Sequence, residues 1–303
     1  MGKGHWIKVR RQQAGIPGLG YAPAGRKLDV DVFPFSDIRR RSPASMVRAA
    51  HRYDFHLLLL VTDGSPRQMV DFEPIQCSPG SLLVLRPGQV HSFGEALDWE
   101  GWLIMFPAEF LPGATELHTD LLPGRMLERM PDHQLLQGAD FRASAGAITA
   151  MAADARADLK NIEVIHTLLR YQLCTLILRL QLLNEKPIAD AAHHRPAARR
   201  FERFRELLEA NFAIWRQIGP YANALACTQK SLNRATREAA GRSAKDMIAR
   251  RIALEAKRLL AHTDRPVYLI AEGLGFGEAT NFSKFFRKHA SQSPAQFRVA
   301  HRA

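Results

Sequence analysis

Residues 244–262 run without a glycine or a proline, and Ile248, Ile252, Leu254, Ala256, Leu259 and Leu260 recur along them at helical spacings. That is one helix of about 19 residues, roughly 28 Å long at 1.5 Å per residue. Thr263-Asp264-Arg265-Pro266 ends it. On each side of it lies the same plan of short helix, turn and second helix. Before it, residues 221–226 make a short helix with small side chains, Cys227 opens a turn, and Thr228 stands where an N-cap is needed. Residues 229–239 then place Leu232, Ala235 and Ala239 on one side and Gln229, Lys230, Asn233, Arg234 and Arg237 mostly on the other, and Gly241 ends the helix. After it, residues 267–274 are the bracing helix, Gly275-Phe276-Gly277 the turn, and 278–289 the second helix. Phe282, Phe285 and Phe286 form its apolar face, which assigns them to core packing, while Ala279, Thr280, Asn281, Ser283 and Lys284 reach outward. Ser293-Pro294 starts a last turn anchored by Phe297. A short helix bracing a second one with a free polar face is a helix-turn-helix, and the polar face suits a major groove.

The charge follows this division. The formal net charge is +12, yet residues 1–198 hold 22 basic against 21 acidic side chains, and the remainder 20 against 9. A strongly basic segment beside a near-neutral one points to a polyanion-binding module joined to a part with another task.

Ahead of it the signals are different. Residues 1–28 carry glycine, proline and basic residues without periodicity, and read as a flexible tail. From 29 to 110, short apolar runs at 55–62, 68–72, 81–85 and 99–106 are separated by Asp63-Gly64, Pro79-Gly80, Pro87-Gly88 and Pro107. Such punctuation predicts an all-β sandwich or small barrel. Residues 111–185 turn helical, with helices expected at 143–158 and 162–183. In the second, Ile162, Ile165, Leu169, Leu173, Leu176, Leu180 and Leu183 form a stripe. The stripe has two readings, burial against the barrel or pairing with a second copy, and a homodimer through 143–183 is the preferred one. Residues 186–200, with two prolines and adjacent histidines, read as a linker before a domain at 201–303. The fold class expected is therefore multidomain α+β. No apolar run spans a bilayer, the N-terminus has no apolar signal core, and Cys77, Cys174 and Cys227 make neither a zinc pair nor a disulfide framework. These features predict a cytoplasmic chain with no membrane partner.

The long helix carries Arg250-Arg251-Ile252-Ala253-Leu254-Glu255-Ala256-Lys257-Arg258-Leu259-Leu260. With Ile270-Ala271-Glu272-Gly273-Leu274-Gly275-Phe276, Asn281 to Lys288, and Ser293-Pro294-Ala295-Gln296-Phe297-Arg298, it closely resembles AraC/XylS-type transcriptional regulators over about 100 residues. The chain departs from that pattern at Ser291 and Ala226, where glycine is usual, and at Asn281, where an aromatic is frequent. Residues 51–106, with Arg52-Tyr53-Asp54-Phe55-His56-Leu57 and Pro87-Gly88-Gln89-Val90-His91, resemble the cupin-like sensing barrel often found ahead of this domain.

The resemblance implies two recognition helices entering adjacent major-groove segments of double-stranded DNA, which recur about every 34 Å. Arginine or lysine reads guanine, and asparagine or glutamine reads adenine. That assigns base reading to Gln229, Lys230, Asn233 and Arg234 in the first unit and to Thr280, Asn281 and Lys284 in the second. Arg237, Arg242, Arg287 and Lys288 are assigned to phosphates. A small-molecule effector would sit in the barrel mouth, where Arg52, His56, Arg86 and His91 are candidates. His91 stays open between metal ligand, ligand hydrogen-bonder and structural residue. The facial His-x-His of metal-binding cupins is missing, so no metal and no cofactor is expected.

The leading reading is a one-component, small-molecule-responsive, DNA-binding activator of transcription that is not an enzyme, with RNA polymerase a further partner open to it. The competing readings are a cupin-type metalloenzyme fused to a DNA-binding tail, and a ligand-independent DNA-binding protein.

Overall fold

A computed structural model describes residues 7–10, 18–21, 28–113, 122–156, 161–184 and 196–301. The chain divides into two compact units, one up to Glu185 and the other from Lys186.

The first unit is built on two sheets. The five-stranded sheet uses β3 (Asp31–Pro34), β5 (His56–Asp63), β8 (Ser81–Leu85), β10 (Glu100–Phe106) and β11 (His133–Leu135), in the order β11-β8-β5-β10-β3. All its pairs are antiparallel, with Leu58 opposite Ile104 and Val84. The six-stranded sheet uses β1 (Ile7–Arg10), β2 (Gly18–Tyr21), β4 (His51–Tyr53), β6 (Arg67–Val70), β7 (Glu73–Gln76) and β9 (Val90–Ser92), in the order β1-β2-β4-β9-β6-β7. The two sheets do not join into a closed barrel among the described residues. Two short helices, α1 (Phe35–Arg41) and α2 (Ala44–Arg48), follow β3.

The continuous apolar runs of β5 and β8 have a simple cause, since both faces of their sheet are covered. Leu57, Leu59, Val61, Leu83 and Leu85 pack between the sheets with Phe35, Tyr53, Phe55, Phe93 and Trp99. Leu58, Leu60, Leu82, Val84, Ile104 and Phe106 pack on the other side against α3 (Pro123–Arg129), α4 (Gly138–Asp154) and α5 (Ile162–Asn184). The predicted stripe of α5 is used here, with Leu169, Leu173, Leu176 and Leu180 at most 1% exposed. Leu183 is a correction, because it points out of this core and is exposed.

Two further segments differ from expectation. Within the predicted tail, residues 7–10 and 18–21 pair as an antiparallel hairpin whose β2 lies parallel to β4. A sheet edge is held by backbone hydrogen bonds, so Gly18-Leu19-Gly20-Tyr21 needs no apolar alternation to join it. Of the predicted linker, residues 186–195 lie outside the described residues, and residues 196–200 begin a helix, α6 (Pro196–Asn211). Pro196 at its start is compatible, since the first turn of a helix needs no backbone donor.

The second unit is all helical: α6, α7 (Ile218–Ala224), α8 (Gln229–Ala240), α9 (Ala244–His262), α10 (Val267–Gly273), α11 (Ala279–Ala290) and α12 (Pro294–His301). Phe204 and Leu208 of α6, Tyr221 of α7, Leu232 and Ala235 of α8, and Ile248 and Ile252 of α9 are all buried. Ile270, Leu274, Phe276, Phe282, Phe286, Leu260 and Phe297 are buried around the second helix-turn-helix. Leu254, Leu259 and Phe285 are only half-buried. Thr228 caps α8, its Oγ1 accepting from Ser231 N at 3.1 Å, and Ser243 caps α9 through Asp246 N at 3.1 Å.

Gly241 closes α8 in the left-handed region at φ +66°. Ser291 does the same for α11 at φ +57°, and Ala226 takes φ +47° in the first turn. Both stand where the family pattern has glycine, and a side chain there costs about 1–2 kcal/mol of backbone strain. Part of that is recovered because glycine loses more entropy on folding. Ser291→Gly and Ala226→Gly are therefore each expected to stabilise the second unit by about 0.5–1 kcal/mol, read from denaturant midpoints. Unchanged or lower midpoints in both variants would contradict the strain assignment.

Candidate nucleic-acid interface

The second helix of each helix-turn-helix, α8 and α11, is held by its apolar side. In α8, Leu232, Ala235 and Thr236 are buried, and Gln229, Lys230, Arg234 and Arg237 are exposed. In α11, Phe282 and Phe286 are buried, and Thr280, Asn281, Lys284, Arg287 and Lys288 are exposed. Arg242 is exposed in the turn after α8. Arg234 lies 3.9 Å from Glu238 one turn on, both well exposed. Such a pair is worth little in water, so the guanidinium is readily given up to a DNA acceptor.

Asn233 is placed differently from its neighbours. It is half-buried, and its Oδ1 accepts a hydrogen bond from Ala244 N at 3.0 Å. Reading adenine takes both the carbonyl and the amide of the side chain. Here the carbonyl already satisfies one of the free backbone donors at the start of α9, which ties the recognition helix to the long helix.

Sequence reasoning missed several basic residues that serve inside the unit. Arg200 donates to Ser231 Oγ at 2.9 Å. Arg251 bonds Glu209 at 2.8 Å and Glu255 at 3.2 Å, and Arg258 lies 3.5 Å from Glu255. Arg298 donates to the carbonyls of Leu260 at 3.4 Å and Arg265 at 2.5 Å. Composition could not distinguish these from phosphate-binding bases, because the distinction lies in tertiary placement.

Of the four effector candidates in the first unit, His56 and Arg86 meet at one carboxylate, Glu128, 3.8 and 3.6 Å away. Arg52 is half-buried on β4. Arg86 is a clamp: it donates to the Leu127 carbonyl at 2.6 and 3.1 Å, to the Met130 carbonyl and to Asp132, all at the end of α3 or just beyond. His56 is buried, stacks on Phe106 with ring centroids 5.3 Å apart, and has Nε2 3.8 Å from Glu128. Both its ring nitrogens lack a hydrogen-bond partner among the described residues.

His91 is fully buried in the space between the sheets. Its Nδ1 lies 3.1 Å from the Tyr53 hydroxyl and its Nε2 2.7 Å from Gln68 Oε1. One neutral tautomer satisfies both contacts: Tyr53 donates to Nδ1, and Nε2–H donates to Gln68. Burial, with His51 nearby, pushes its pKa down to about 3. The Gln68 amide nitrogen at the end of this relay has no partner among the described residues. Among the described residues no group of three or more His, Cys, Asp or Glu could hold a metal ion, and no helix is long and apolar enough to cross a membrane.

Comparison with known proteins places both units. A family described as an AraC-like ligand binding domain matches residues 37–169, and one described as a helix-turn-helix domain matches 221–300. The chain belongs to the AraC family of transcriptional regulators. This AraC-family member is thus a DNA-binding transcriptional regulator, a transcription factor. It is similar to the HTH-type transcriptional activator RhaS of Enterobacter sp. (strain 638), 26% identical over 276 residues, covering 89% of this chain and 95% of that protein. RhaS of Escherichia fergusonii is 25% identical over 277 residues, with the same shares covered. Among solved structures, ToxT of Vibrio cholerae aligns over 89% of this chain and 97% of its own, at 11% identity and a TM-score of 0.43.

The buried His91 gives this regulator a pH signature. An unfolded histidine titrates near 6.5, whereas the folded one stays neutral to about pH 3. Between those values the unfolded state binds a proton that the folded state does not. The contribution is fully present above about pH 6.5 and is lost as pH falls, by about 1.4 kcal/mol per pH unit. His91→Gln is expected to lower stability at pH 7 and to flatten this slope between about pH 6 and 4, in urea titrations followed by tryptophan fluorescence. An equal slope in both proteins would sink the assignment.

Proposed function

We propose that this regulator acts in one component as an activator. A small molecule taken up by the first unit alters how the second unit is presented to DNA, and the protein acts as a dimer joined through α5. The single observation carrying the DNA reading is the pair of helices, α8 and α11, whose apolar backs are buried and whose polar fronts are free. Gln229, Lys230 and Arg234 read bases from α8, and Thr280, Asn281 and Lys284 from α11. Arg237, Arg242, Arg287 and Lys288 contact phosphates. The effector reading is supported by the matched ligand-binding domain. The activator reading is supported by the RhaS relatives, and RNA polymerase is the partner it implies.

The dimer reading rests on a second stripe of α5. Val164, Leu168, Tyr171, Leu178 and Leu182 are between 40% and 67% exposed, and with Thr175 they alternate at spacings of four and three. That is the seam of a two-stranded coiled coil. The seam is self-complementary when two copies run antiparallel: Val164 then faces Leu182, Leu168 faces Leu178 and Tyr171 faces Thr175. A single patch that pairs with itself is what a two-fold dimer requires.

DNA selected from a random pool tests the interface. Lys230→Ala, Arg234→Ala and Lys284→Ala are each expected to cost about 1–3 kcal/mol at one base pair and to relax selection there, with melting unchanged. Asn233→Ala should instead lower the melting point of the second unit, since it strips a partner from Ala244 N. Wild-type selection by the triple variant Lys230→Ala, Arg234→Ala and Lys284→Ala would refute the recognition-helix assignment.

Sedimentation tests the seam. Leu168→Asp and Leu178→Asp are expected to yield folded monomers, whereas Leu173→Asp, on the buried stripe, should unfold the first unit. Persistent dimers in both exposed-stripe variants would place the interface elsewhere.

A further inference from the structure

The corner between α6 and α7, residues 212–217, touches both helix-turn-helix units, although it belongs to neither recognition helix. Towards the first unit, Tyr221 of α7 donates its hydroxyl to the Trp215 carbonyl at 2.9 Å, and the two rings meet edge-on at 5.2 Å. Towards the long helix, the Arg251 guanidinium lies 3.8 Å from the centre of the Phe212 ring. Towards the second unit, the Arg216 guanidinium lies 3.5 Å over the Phe276 ring, and its Nη1 donates to the Gly275 carbonyl at 2.8 Å. Gly275 and Phe276 are the turn of the second helix-turn-helix.

The approach is close enough to involve backbone. Gly275 sits at φ +75°, and a Cβ there would come within 2.9 Å of the Ala213 carbonyl oxygen and 3.1 Å of Arg216 Cδ. Glycine is therefore needed twice, for the left-handed turn and for the contact with the corner. Arg216 is exposed and pairs with no carboxylate among the described residues. Its charge is directed at a carbonyl dipole and a ring face, a use that suits a planar guanidinium better than an ammonium.

α9 alone sets the distance between α8 and α11. A unit packed along one side of a helix can still rock about that helix. A second attachment away from the helix axis removes this freedom. We propose that Arg216 is a positioning residue for DNA binding: its clamp on Gly275 and Phe276 sets the rotation of the second helix-turn-helix against the first, so that both recognition helices meet adjacent grooves in register. The proposal rests on α8 and α11 being the recognition helices.

The test uses the full chain and the operator recovered from a random pool, together with the same operator carrying one extra base pair between half-sites, and DNAs retaining a single half-site. One base pair moves a half-site by about 3.4 Å along and about 35° around the duplex, so a rigid protein loses much affinity for the lengthened DNA. Arg216→Ala is expected to bind the operator about 3- to 30-fold more weakly. Its penalty for the extra base pair should shrink, and its affinity for each single half-site should equal that of the wild type. Arg216→Lys should recover part of the loss, and Arg216→Ala added to Phe276→Leu should cost little more than Phe276→Leu alone. Wild-type operator affinity with an unchanged spacing penalty in Arg216→Ala overturns the proposal. So does an equal loss on single half-sites with a smaller salt slope, which would mark Arg216 as a phosphate contact. A selection that recovers only one half-site overturns the reading of α11 itself, and the clamp with it.

Discussion

Ala244, Ile248, Ile252, Ala256 and Leu260 make one buried strip along α9, and both helix-turn-helix units depend on it. The second helix of each unit, α8 or α11, is short and carries a polar front, so it cannot hold itself in place. Isolated helices of this length are marginal in water. Leu232 and Ala235 give α8 an apolar back, and Phe282 and Phe286 do the same for α11. Burying a side chain of that size contributes about 1.5–3 kcal/mol. What remains is a polar surface left for DNA by the way the core is satisfied. Asn233 shows how closely the two demands compete, because a residue on the polar face is drawn into capping α9.

The same competition divides the positive charge. The last third of the chain holds 20 basic side chains against 9 acidic ones. Arg200, Arg216, Arg251, Arg258 and Arg298 are occupied by carbonyls, carboxylates, hydroxyls or rings of their own unit. The field that attracts DNA is still the sum of all of them. A smaller set is left exposed on α8, α11 and the turn after α8, and the proposed phosphate contacts are drawn from it.

Much of this was legible from sequence where the determining interaction is local. The bounds of α9, the Thr228 cap and the Gly241 stop follow from residues within a few positions of one another, and each is found. The runs of β5 and β8 were readable as strands because unbroken apolar stretches bounded by turn residues are short-range signals. What escaped depends on distant partners. His91 meets a hydroxyl 38 residues away and an amide 23 away, and those contacts make it a buried neutral histidine. Arg86 looked like an effector candidate and is engaged by carbonyls more than 40 positions on. The hairpin of β1 and β2 carries almost no side-chain signal, because an edge strand can be recruited by its backbone alone.

α5 joins these two kinds of legibility. Its first stripe was visible as a helical repeat, but two uses of that stripe were open, and only the fold decides between them. Leu169, Leu173, Leu176 and Leu180 are spent on the sheet, which would leave an ordinary surface helix polar on its far side. The far side is instead Val164, Leu168, Tyr171, Leu178 and Leu182. Apolar side chains scattered singly on a surface need no explanation, but a row of them one above another along more than four turns does. A helix with two apolar seams has one more than its own chain's sheet can cover. The first seam is satisfied within the chain. The second is left exposed, and it is this row that motivates the proposed pairing with a second copy.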